Sequence, residues 1–599
     1  MCGIFTLLNN SNSNLLSQLL IKMQFEKGIG RGPENSILTD FILNAQFGFH
    51  RLAINGQNAK SNQPFIINDI ILICNGEIYN YKKLYELMKI LPTTDSDCEI
   101  IIHLYKKYGI DQTLQMLDGV FAFILMDYRK CYKSAKIYVV RDPYGVRPLY
   151  VMKSTDTPCI YGFASELKML NELQSTLNKE FVSTYEISQF EPGTYSSYEL
   201  IDKNAEKYWN IIKQNNVYHK IGFYSDINTK PLEIYKNIQK YLYSAVEKRC
   251  ITTERPIACL LSGGLDSSLI TALVMEYHNL HNLLPVETYS IGLAGSEDLY
   301  HAKIVAEYLG TKHTEIVLTE EDFLNAIPEV IYAIESYDTT SVRASIGNWL
   351  LGKYIKEHSE AKVIFNGDGS DELTGGYLYM GCAPDAIEFD RECRRLLKDI
   401  HTFDVLRSDK SISSHGLEPR TPFLDRAWVQ YYMSISLEKR FHNYNNYCKY
   451  QEKYLLRDAF SSDYYLNALG KPLLPDIILL RIKEAFSDGV SKQTRSLYEI
   501  IKEFTTIKFQ SDILTTEMKK NVIDNDTNNV YENVAMIYPN MENIGTHLLP
   551  KTAEQFYYRL LFEKYYSGMG KILPYFWMPK YVNATDASAR TLSIYSLTK

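Results

Sequence analysis

The stretch that decides the fold of the second half of the chain is residues 257–268, Ile-Ala-Cys-Leu-Leu-Ser-Gly-Gly-Leu-Asp-Ser-Ser. Its first five residues are apolar and predict a buried strand at 257–261. A glycine-rich turn follows, and a helix is predicted at 267–278. Two glycines let the backbone close around an anion, while hydroxyls and the amides of a helix N-terminus donate hydrogen bonds to it. The segment therefore predicts an anion-binding loop between a strand and a helix.

The alternation of strands and helices continues along the chain. Strands are predicted at 288–292, 315–318 and 363–365, with a helix at 299–309. Such alternation indicates a parallel sheet with crossover helices, which binds ligands at the carboxyl ends of its strands. After about residue 380 we expect mostly helix, apart from an asparagine-rich loop around 519–533. The second half is thus predicted to be an α/β parallel-sheet nucleotide-binding domain with a helical extension.

Short strands dominate the first two hundred residues. They are predicted at 70–74, 120–127, 135–141 and 159–164, with one strong helix at 97–108. Strands with few intervening helices indicate stacked antiparallel sheets flanked by helices, an α+β domain. We place this domain at 2–210, a polar linker at 211–230 and the second domain at 231–599.

The composition excludes several classes of protein. A length of 599 residues suggests two to four domains, and a net charge of −7 without a basic block argues against nucleic-acid binding. The longest apolar run, 120–126, is far shorter than the ~20 residues of a membrane-spanning helix. Ten cysteines without a Cys-x-x-Cys pair argue against a zinc ribbon or a disulfide scaffold. We expect a soluble, cytoplasmic protein.

The first glycine-rich turn has chemistry of its own. Its hydroxyls and amides, from Ser262, Gly263, Gly264 and Ser267, suit a phosphate, although a purely structural turn is the alternative. It lacks the lysine of loops that transfer a γ-phosphate. Asp266 beside phosphates suggests a Mg²⁺ ion, because a bare carboxylate would repel them. The turn resembles the loop of enzymes that cleave ATP between the α and β phosphates and transfer AMP.

A second glycine-rich turn, residues 366–372, reads Asn-Gly-Asp-Gly-Ser-Asp-Glu. Its three carboxylates, among them Asp368 and Asp371, are costly to place together unless a metal or a cationic group lies near. We assign Asp371, with Asp266, as a magnesium ligand; a solvated acidic loop is the alternative. Lys483 lies in a later turn-forming stretch, where a plain surface charge is the alternative.

Cys2 directly follows the initiator methionine in Met-Cys-Gly-Ile-Phe. Removal of Met1 would leave an α-amino group and a thiol on the same residue. An α-amine with a pKa of about 7.7 is partly neutral and can accept the thiol proton, so that the thiolate attacks an amide carbonyl. A small buried residue without chemistry is the alternative.

An amide-cleaving thiol needs hydrogen-bond donors for the oxyanion, and Asn75-Gly76 follows the strand predicted at 70–74. The Asn75 amide and the Gly76 N–H suit that role; an Asn-Gly hairpin turn is the alternative. For a substrate with an α-amino acid end, Arg51 suits the carboxylate and Asp97 the ammonium. Purely structural roles are the alternatives for both residues.

The first half of the chain resembles the class II glutamine amidotransferase domain, an N-terminal-nucleophile fold with two stacked sheets between helices. The matching motifs are Met-Cys-Gly-Ile at 1–4, Arg-Gly-Pro at 31–33, Arg-Leu-Ala-Ile at 51–54, Asn-Gly-Glu-Ile-Tyr-Asn at 75–80 and Ser-Asp-Cys-Glu at 96–99. The resemblance implies that Cys2 is the nucleophile and that Asn75 and Gly76 form the oxyanion hole. The glutamine-binding residues that it implies are Arg51, Leu52, Ala53, Ile54, Asn55, Asn75, Gly76, Glu77 and Asp97.

Nearly the whole chain resembles the glutamine-hydrolysing asparagine synthetase family. Further matching motifs are Val-Arg-Ala-Ser at 342–345, His-Gly-Leu-Glu-Pro-Arg-Thr-Pro-Phe-Leu-Asp at 415–425, Trp-Met-Pro at 577–579 and Asp-Ala-Ser-Ala-Arg at 586–590. The resemblance implies that ATP, Mg²⁺ and aspartate give β-aspartyl-AMP, which ammonia from glutamine converts to asparagine. It makes Lys483 and Asp368 catalytic, although the family normally has glutamate in place of Asp368. The ATP-binding residues that it implies are Leu260, Ser262, Gly263, Gly264, Asp266, Ser267, Ile291, Asn366 and Gly367.

Three alternatives remain open. Other class II amidotransferases, with phosphoribosyl or hexosamine acceptors, share the first domain but not the pyrophosphate loop. Relatives that form β-lactams or amidate other carboxylates share the loop, although the β-lactam formers lack the N-terminal cysteine. A non-catalytic glutamine- or nucleotide-binding protein should have lost Cys2, Asp266 or Lys483, all present here. The family expectation is a homodimer with glutamine, aspartate and ATP as small-molecule partners.

Overall fold

The computed structural model describes residues 1–10, 15–41, 44–129, 135–156, 159–180, 184–203, 206–222, 229–443, 452–492, 494–513 and 547–597. Within these ranges the strands form two antiparallel sheets in the first part of the chain and a parallel sheet in the second. None of the helices within these ranges is both long enough and apolar enough to cross a membrane.

The first part is built from antiparallel strands. They are β1 (Gly3–Leu8), β2 (Asn35–Phe41), β3 (Ala45–Arg51), β4 (Phe65–Ile67), β5 (Ile70–Ile78), β6 (Gly119–Asp127), β7 (Lys136–Arg141), β8 (Tyr150–Ser154), β9 (Tyr161–Ala164), β10 (Tyr185–Gln189), β11 (Thr194–Lys203) and β12 (Glu206–Val217). One sheet has the order β10-β8-β9-β1-β3-β2 and the other β12-β11-β7-β6-β5-β4. Apolar side chains of both sheets, such as Phe5 and Ile124, share one core. The predicted stacking of two sheets is confirmed.

Helices flank these sheets. They are α1 (Gln18–Glu26), α2 (Tyr81–Met88), α3 (Ile100–Met116) and α4 (Asn171–Glu180). The helix predicted at 97–108 starts instead with a 3₁₀ turn, Asp97–Glu99, in which Ser96 Oγ accepts a hydrogen bond from Cys98 N at 3.3 Å. Helix α3 is kinked at Gly109, whose φ is +78°, and so consists of two helical pieces. That glycine is why the sequence pattern ends at 108.

Two boundaries differ from the sequence prediction. Strand β5 continues through Ile78, pairing Asn75 with Ala122 and Gly76 with Phe121 of β6, so the hairpin-turn alternative is wrong. Strand β12 pairs with β11 as far as Val217, so the predicted linker at 211–230 shares its first seven residues with this strand. One face of β12 is polar, which weakens the apolar periodicity that would have identified it.

The second part contains the parallel sheet. Its strands are β13 (Ile257–Leu260), β14 (Glu287–Leu293), β15 (Lys312–Leu318), β16 (Val363–Phe365) and β17 (Glu418–Arg420), in the order β15-β14-β13-β16-β17. The sequence predicts the first four of these strands. It misses β17, because Glu-Pro-Arg has none of the β-branched or aromatic residues typical of strands. The predicted α/β parallel-sheet architecture is confirmed.

Helices surround this sheet and extend beyond it, as predicted. They are α5 (Pro231–Ile251), α6 (Leu265–Leu280), α7 (Glu297–Leu309), α8 (Glu320–Ile334), α9 (Thr339–His358), α10 (Ser370–Thr374), α11 (Ala386–Asp399), α12 (Asp404–Ser413), α13 (Arg426–Ser434), α14 (Leu437–Arg440), α15 (Tyr454–Ala459), α16 (Asp476–Leu479), α17 (Phe486–Gly489), α18 (Leu497–Ile513) and α19 (Ala553–Tyr565). The loop predicted around 519–533 lies outside the described residues.

Candidate functional site

Cys2 lies at the start of β1, where the chain enters the core of the first part. Its Sγ is 3.7 Å from the carbonyl oxygen of Leu52, and its own carbonyl accepts a hydrogen bond from Arg31 Nε at 2.9 Å. Burial raises the pKa of the Cys2 thiol. Burial also lowers the pKa of the Met1 α-amine to about 6. The thiol therefore needs a base to ionise, and an amine in these surroundings favours its neutral form.

Asn75 is fully buried on β5, yet neither atom of its side-chain amide has a hydrogen-bond partner within the described residues. Leaving a buried amide unpaired costs about 1–3 kcal/mol, so this group is available for a ligand. Gly76 follows it, and a Cβ there would lie 2.4 Å from the carbonyl oxygen of Val120. Only glycine fits against β6 at this position.

Two buried carboxylates near the end of β5 form a possible ammonium site. Asn55 Nδ2 donates to Glu77 Oε2 at 2.8 Å, and Ile78 N donates to Asp97 Oδ2 at 2.6 Å. Burial raises the pKa of Asp97 to about 6, and burial together with the negative charge of Asp97 raises the pKa of Glu77 well above its usual range. A cationic group bound here would favour the ionised form of both carboxyls.

The loop around Arg51 is held by its own polar contacts. The guanidinium donates to Asn58 O at 3.0 Å and to Asn62 Oδ1 at 2.5 Å, so it orders this loop. Ala53 N donates to Glu34 Oε2 at 2.6 Å. The predicted glutamine-binding residues of this loop are all buried: Arg51, Leu52, Ala53, Ile54 and Asn55. The loop contacts Cys2 through the Leu52 carbonyl oxygen. The Arg51 guanidinium already forms hydrogen bonds with oxygen atoms of the protein.

The predicted anion-binding loop lies between β13 and α6. Ser262 Oγ and Ser267 Oγ are 3.0 Å apart, and Gly264 N donates to Ser262 Oγ at 3.4 Å. Gly263 has a φ of +70°, and a Cβ there would lie 2.4 Å from Ala302 N of α7. The loop thus requires glycine at Gly263 and brings its two hydroxyls together.

Two lysines neutralise the predicted magnesium ligands. Lys453 Nζ lies 2.5 Å from Asp266 Oδ2 and 2.5 Å from Asp371 Oδ1, and Lys483 Nζ lies 2.6 Å from Asp371 Oδ2. The lysines hold the pKa of Asp371 below its usual range, and the two aspartates raise the pKa of Lys483. Ser370 Oγ completes the cluster by donating to Asp266 Oδ1 at 2.8 Å.

The second turn places Asn366 and Asp368 after β16. Asn366 Nδ2 donates to Ser408 Oγ at 2.7 Å, whereas Asp368 Oδ2 is buried without a hydrogen-bond partner among the described residues. Burial raises the pKa of Asp368, and the nearby positive charge of Arg407 opposes that rise. The carboxylate oxygen is thus available to a ligand.

These groups surround one solvent-open cavity at the carboxyl ends of the parallel strands. The predicted site residues that line it are Leu260, Ser262, Asp266, Ser267, Ile291, Asn366, Gly367, Asp368, Asp371 and Lys483. Gly264 lines a neighbouring cavity behind the loop, together with Lys453, Arg457 and Arg481. The strand order changes direction beside this cavity, between β13 and β16, which is where open α/β sheets bind ligands.

Comparison with known proteins agrees with this arrangement. Residues 1–223 match the family described as glutamine amidotransferase domain, and residues 237–386 and 382–526 match the family described as asparagine synthase. The chain is similar to the asparagine synthetase [glutamine-hydrolyzing] of Gallus gallus, at 38% identity over 99% of both chains. The proteins of the same name from Homo sapiens and Cricetulus griseus are each 36% identical over 99% of both chains. The chain belongs to the glutamine-hydrolysing asparagine synthetase family.

In this member of the asparagine synthetase family, buried polar contacts join the two sites. Arg31, which holds the Cys2 carbonyl, lies 2.8 Å from Asp409 of α12. Arg420 Nη2 lies 3.4 Å from Glu77 Oε2, while the Arg420 carbonyl accepts a hydrogen bond from Asn366 N at 3.1 Å. The first site and the second turn are thus connected through β17.

Sequence reasoning misses several polar residues of this asparagine synthetase site. Lys453 does not belong to any recognisable motif. It contacts Asp266 because the chain returns to the parallel sheet about eighty residues after the second turn. Arg31 belongs to the Arg-Gly-Pro motif, but that motif does not reveal its partner. The pairing of Arg31 with Asp409 joins distant parts of the chain, which no local pattern reports.

Proposed function

We propose that this chain hydrolyses glutamine to glutamate and ammonia, forms β-aspartyl-AMP and diphosphate from aspartate and ATP, and converts the adenylate to asparagine and AMP. One observation carries the proposal: a single chain holds an N-terminal thiol site with the unpartnered Asn75 amide and a phosphate loop that faces two lysines. Similarity over the full length of the asparagine synthetases supports the same reaction.

In the first site, Cys2 is the nucleophile after removal of Met1. Its α-amine, in the neutral form, is the base that accepts the thiol proton. The Asn75 amide and the Gly76 N–H stabilise the oxyanion that forms when the thiolate attacks the carboxamide of glutamine. Asp97 and Glu77 bind the substrate ammonium, and Arg51 orders the loop that covers it.

In the second site, the hydroxyls of the phosphate loop bind ATP, and the β-carboxylate of aspartate attacks the α-phosphorus. Lys453 and Lys483 neutralise the charge that develops on the leaving diphosphate. Asp368, which lies in the second glycine-rich turn, contacts the end of aspartate that carries the reacting β-carboxylate. Its side chain is one methylene shorter than the glutamate usual in the family, which is expected to slow the adenylation step.

The residues present fit a magnesium ion. Asp266 and Asp371 provide the carboxylate oxygens that Mg²⁺ prefers, and the Ser262 and Ser267 hydroxyls line the same cavity. When bound with ATP, Mg²⁺ would neutralise phosphate charge. Lys453 and Lys483 already neutralise these carboxylates, so they hold the two aspartates in place before ATP binds.

Ammonia passes between the sites through the region where the two parts of the chain meet. This region is buried, with Arg31, Tyr150 and Lys410 all at most 1% exposed, and a dry path prevents protonation of ammonia by water. We propose that the two functional domains meet near the end of β12. A homodimer, which the family resemblance implies, and a cytoplasmic location, which the sequence predicts, remain predictions.

The test is product analysis with purified protein, ATP, Mg²⁺, aspartate and amide-labelled glutamine. Labelled asparagine in equal amounts with AMP and diphosphate would establish the reaction. Glutamine hydrolysis without AMP would show that aspartate is not the acceptor. A chain that binds its ligands but forms no product would be a binding protein and would overturn the proposal.

A further inference from the structure

The cavity at the carboxyl ends of the parallel strands is the synthetase cavity. One of its walls is a single face of helix α9. The residues of α9 that line it are Thr340, Ala344, Asn348 and Leu351. Their spacing of four, four and three places them on the same side of an α-helix. Thr340 and Asn348 are the polar members of this set, and about 12 Å of helix separates them at 1.5 Å per residue.

Asn348 is an unusual residue for this wall. It is 7% exposed, and its carboxamide makes no hydrogen bond with any described residue. The turn of α9 that carries it packs near apolar side chains: a Cβ on the adjacent Gly347 would lie 2.8 Å from the Phe486 ring and 3.5 Å from Ile291 Cγ2. The carboxamide lines the cavity and is therefore available to pair with a ligand.

The ends of the cavity differ in chemistry. Thr340 lies toward Tyr377 and Ala485, which also line the small neighbouring cavity. Asn348 lies about two turns further along α9, next to Gly347, the residue whose Cβ would approach Ile291 of β14; Leu260, the last residue of β13, lines the same cavity. The proposed function places the phosphates of ATP at the glycine-rich loop after β13 and the carboxylate of aspartate at the acidic turn, residues 366–372. The nucleobase of ATP then occupies the remaining, apolar end of the cavity.

We propose that Asn348 is the residue that selects adenine, by pairing with the N7 and N6 edge of the base. This rests on the proposed function, which places ATP in the cavity. The carboxamide N–H donates to N7 and the carboxamide oxygen accepts from the exocyclic amine, the bidentate pairing that asparagine makes with adenine. Guanine and hypoxanthine present two acceptors on this edge, so the carboxamide oxygen would meet an acceptor atom. Rotating the amide does not relieve the mismatch.

The test measures nucleotide binding and turnover in parallel. Dissociation constants for ATP, ITP and 7-deaza-ATP are measured by titration calorimetry, and diphosphate release is measured with aspartate and ammonium. Wild type is expected to bind ATP at least about tenfold more tightly than ITP or 7-deaza-ATP, the scale of one lost bidentate pair. Asn348→Leu is expected to bring all three dissociation constants within about threefold of one another. Equal ATP preference in Asn348→Leu and wild type would overturn the inference.

Two controls keep the outcome interpretable. Thr340→Val removes the other polar group from the same helix face, and it is expected to keep the wild-type ratio of ATP to ITP binding. Glutamine hydrolysis reports whether Asn348→Leu is folded, since the first site does not include α9. Base selectivity in binding without diphosphate release would refute the proposed reaction while supporting the inference. If no nucleotide binds to wild type, both are overturned.

Discussion

The ammonium of Lys453 lies 2.5 Å from the carboxylate of Asp266. Asp266 follows the glycine-rich turn after β13, and the sequence predicts that it is a magnesium ligand. Lys453 is 2% exposed and adopts a φ of +56°, an unfavourable backbone conformation for a side chain of this size. A buried lysine held there against two aspartates is positioned to meet phosphate oxygens once ATP enters.

Lys453→Met should therefore remove adenylation and leave glutamine hydrolysis. The change deletes a charge that faces the leaving diphosphate, and loss of one such stabilising group lowers kcat by about 10²–10³. Diphosphate release with ATP, aspartate and ammonium is the measurement. Lys471→Met, which changes an exposed lysine of the same part of the chain, is the matched control. Unchanged diphosphate release in Lys453→Met would contradict the assigned role.

The sequence predicts those parts of the fold and site that depend on local pattern. The apolar run before Ser262 predicts β13, and the glycine-rich turn after it predicts a loop between a strand and a helix; both are confirmed as structure. The two stacked sheets follow from the succession of short strands. Each of these features is determined by residues within about twenty positions of one another.

Features that depend on distant contacts could not be predicted. Lys453 lines the cavity beside the glycine-rich loop without any motif of its own. Strand β17 forms because Glu418–Arg420 is drawn beside β16, where the Arg420 guanidinium is buried against Glu418 at 2.9 Å. Tertiary packing outweighs intrinsic strand propensity in such cases.

Cys2→Ala should separate the two half-reactions. Without the thiol, glutamine cannot form a covalent intermediate, so glutamine-dependent asparagine synthesis should fall by more than about 10³. Synthesis from ammonium should stay within about twofold of wild type, because the cavity of the second site is unaltered. Cys382→Ala, which removes a partly exposed cysteine, is the control for cysteine removal in general. Loss of ammonium-dependent synthesis in Cys2→Ala would refute the two-site assignment.

Asn75→Ala tests the oxyanion hole. The amide has no partner to lose among the described residues, so we expect the melting temperature to change little, whereas kcat for glutamine hydrolysis should fall by about 10²–10³. Gly76→Ala provides the contrast, because its Cβ would lie 2.4 Å from Val120 O and should destabilise the fold. Thermal unfolding and glutaminase kinetics are measured on both variants. A large loss of stability in Asn75→Ala, with kcat for glutamine unchanged, would indicate a purely structural asparagine.

The pH dependence of glutamine hydrolysis should report Asp97. Burial raises the pKa of this carboxyl to about 6. In the role we propose for Asp97, only the ionised form binds the substrate ammonium. The value of kcat/KM for glutamine should therefore fall as the pH drops below about 6. Because the folded state raises this pKa, the folded state binds the proton more tightly, and this group stabilises the fold as pH falls through that window. The loss of activity is thus distinct from acid unfolding through Asp97.

Asp97→Asn is the variant that checks this assignment. The asparagine side chain cannot ionise, so kcat/KM for glutamine should be low at every pH. The residual kcat/KM should also lack the fall below about pH 6 that is expected of the wild type. Rates are measured from about pH 5 to 8 at constant ionic strength. An unchanged acidic limb in Asp97→Asn would assign the titration to another group, with Glu77 and the N-terminal α-amine as the nearest candidates.

Arg590 tests whether the C-terminal segment supports Lys483. Its guanidinium donates to Glu484 Oε1 at 2.9 Å, to Asp488 O at 2.8 Å and to Lys492 O at 2.8 Å, and so holds the stretch that directly follows Lys483. Arg590→Ala frees this stretch, so diphosphate release should slow by at least about tenfold while glutamine hydrolysis is retained. Arg495→Ala is the matched control, because Arg495 pairs with carboxylates at the surface, where such pairs contribute little. Equal rates of diphosphate release in the two variants would show that the segment does not position Lys483.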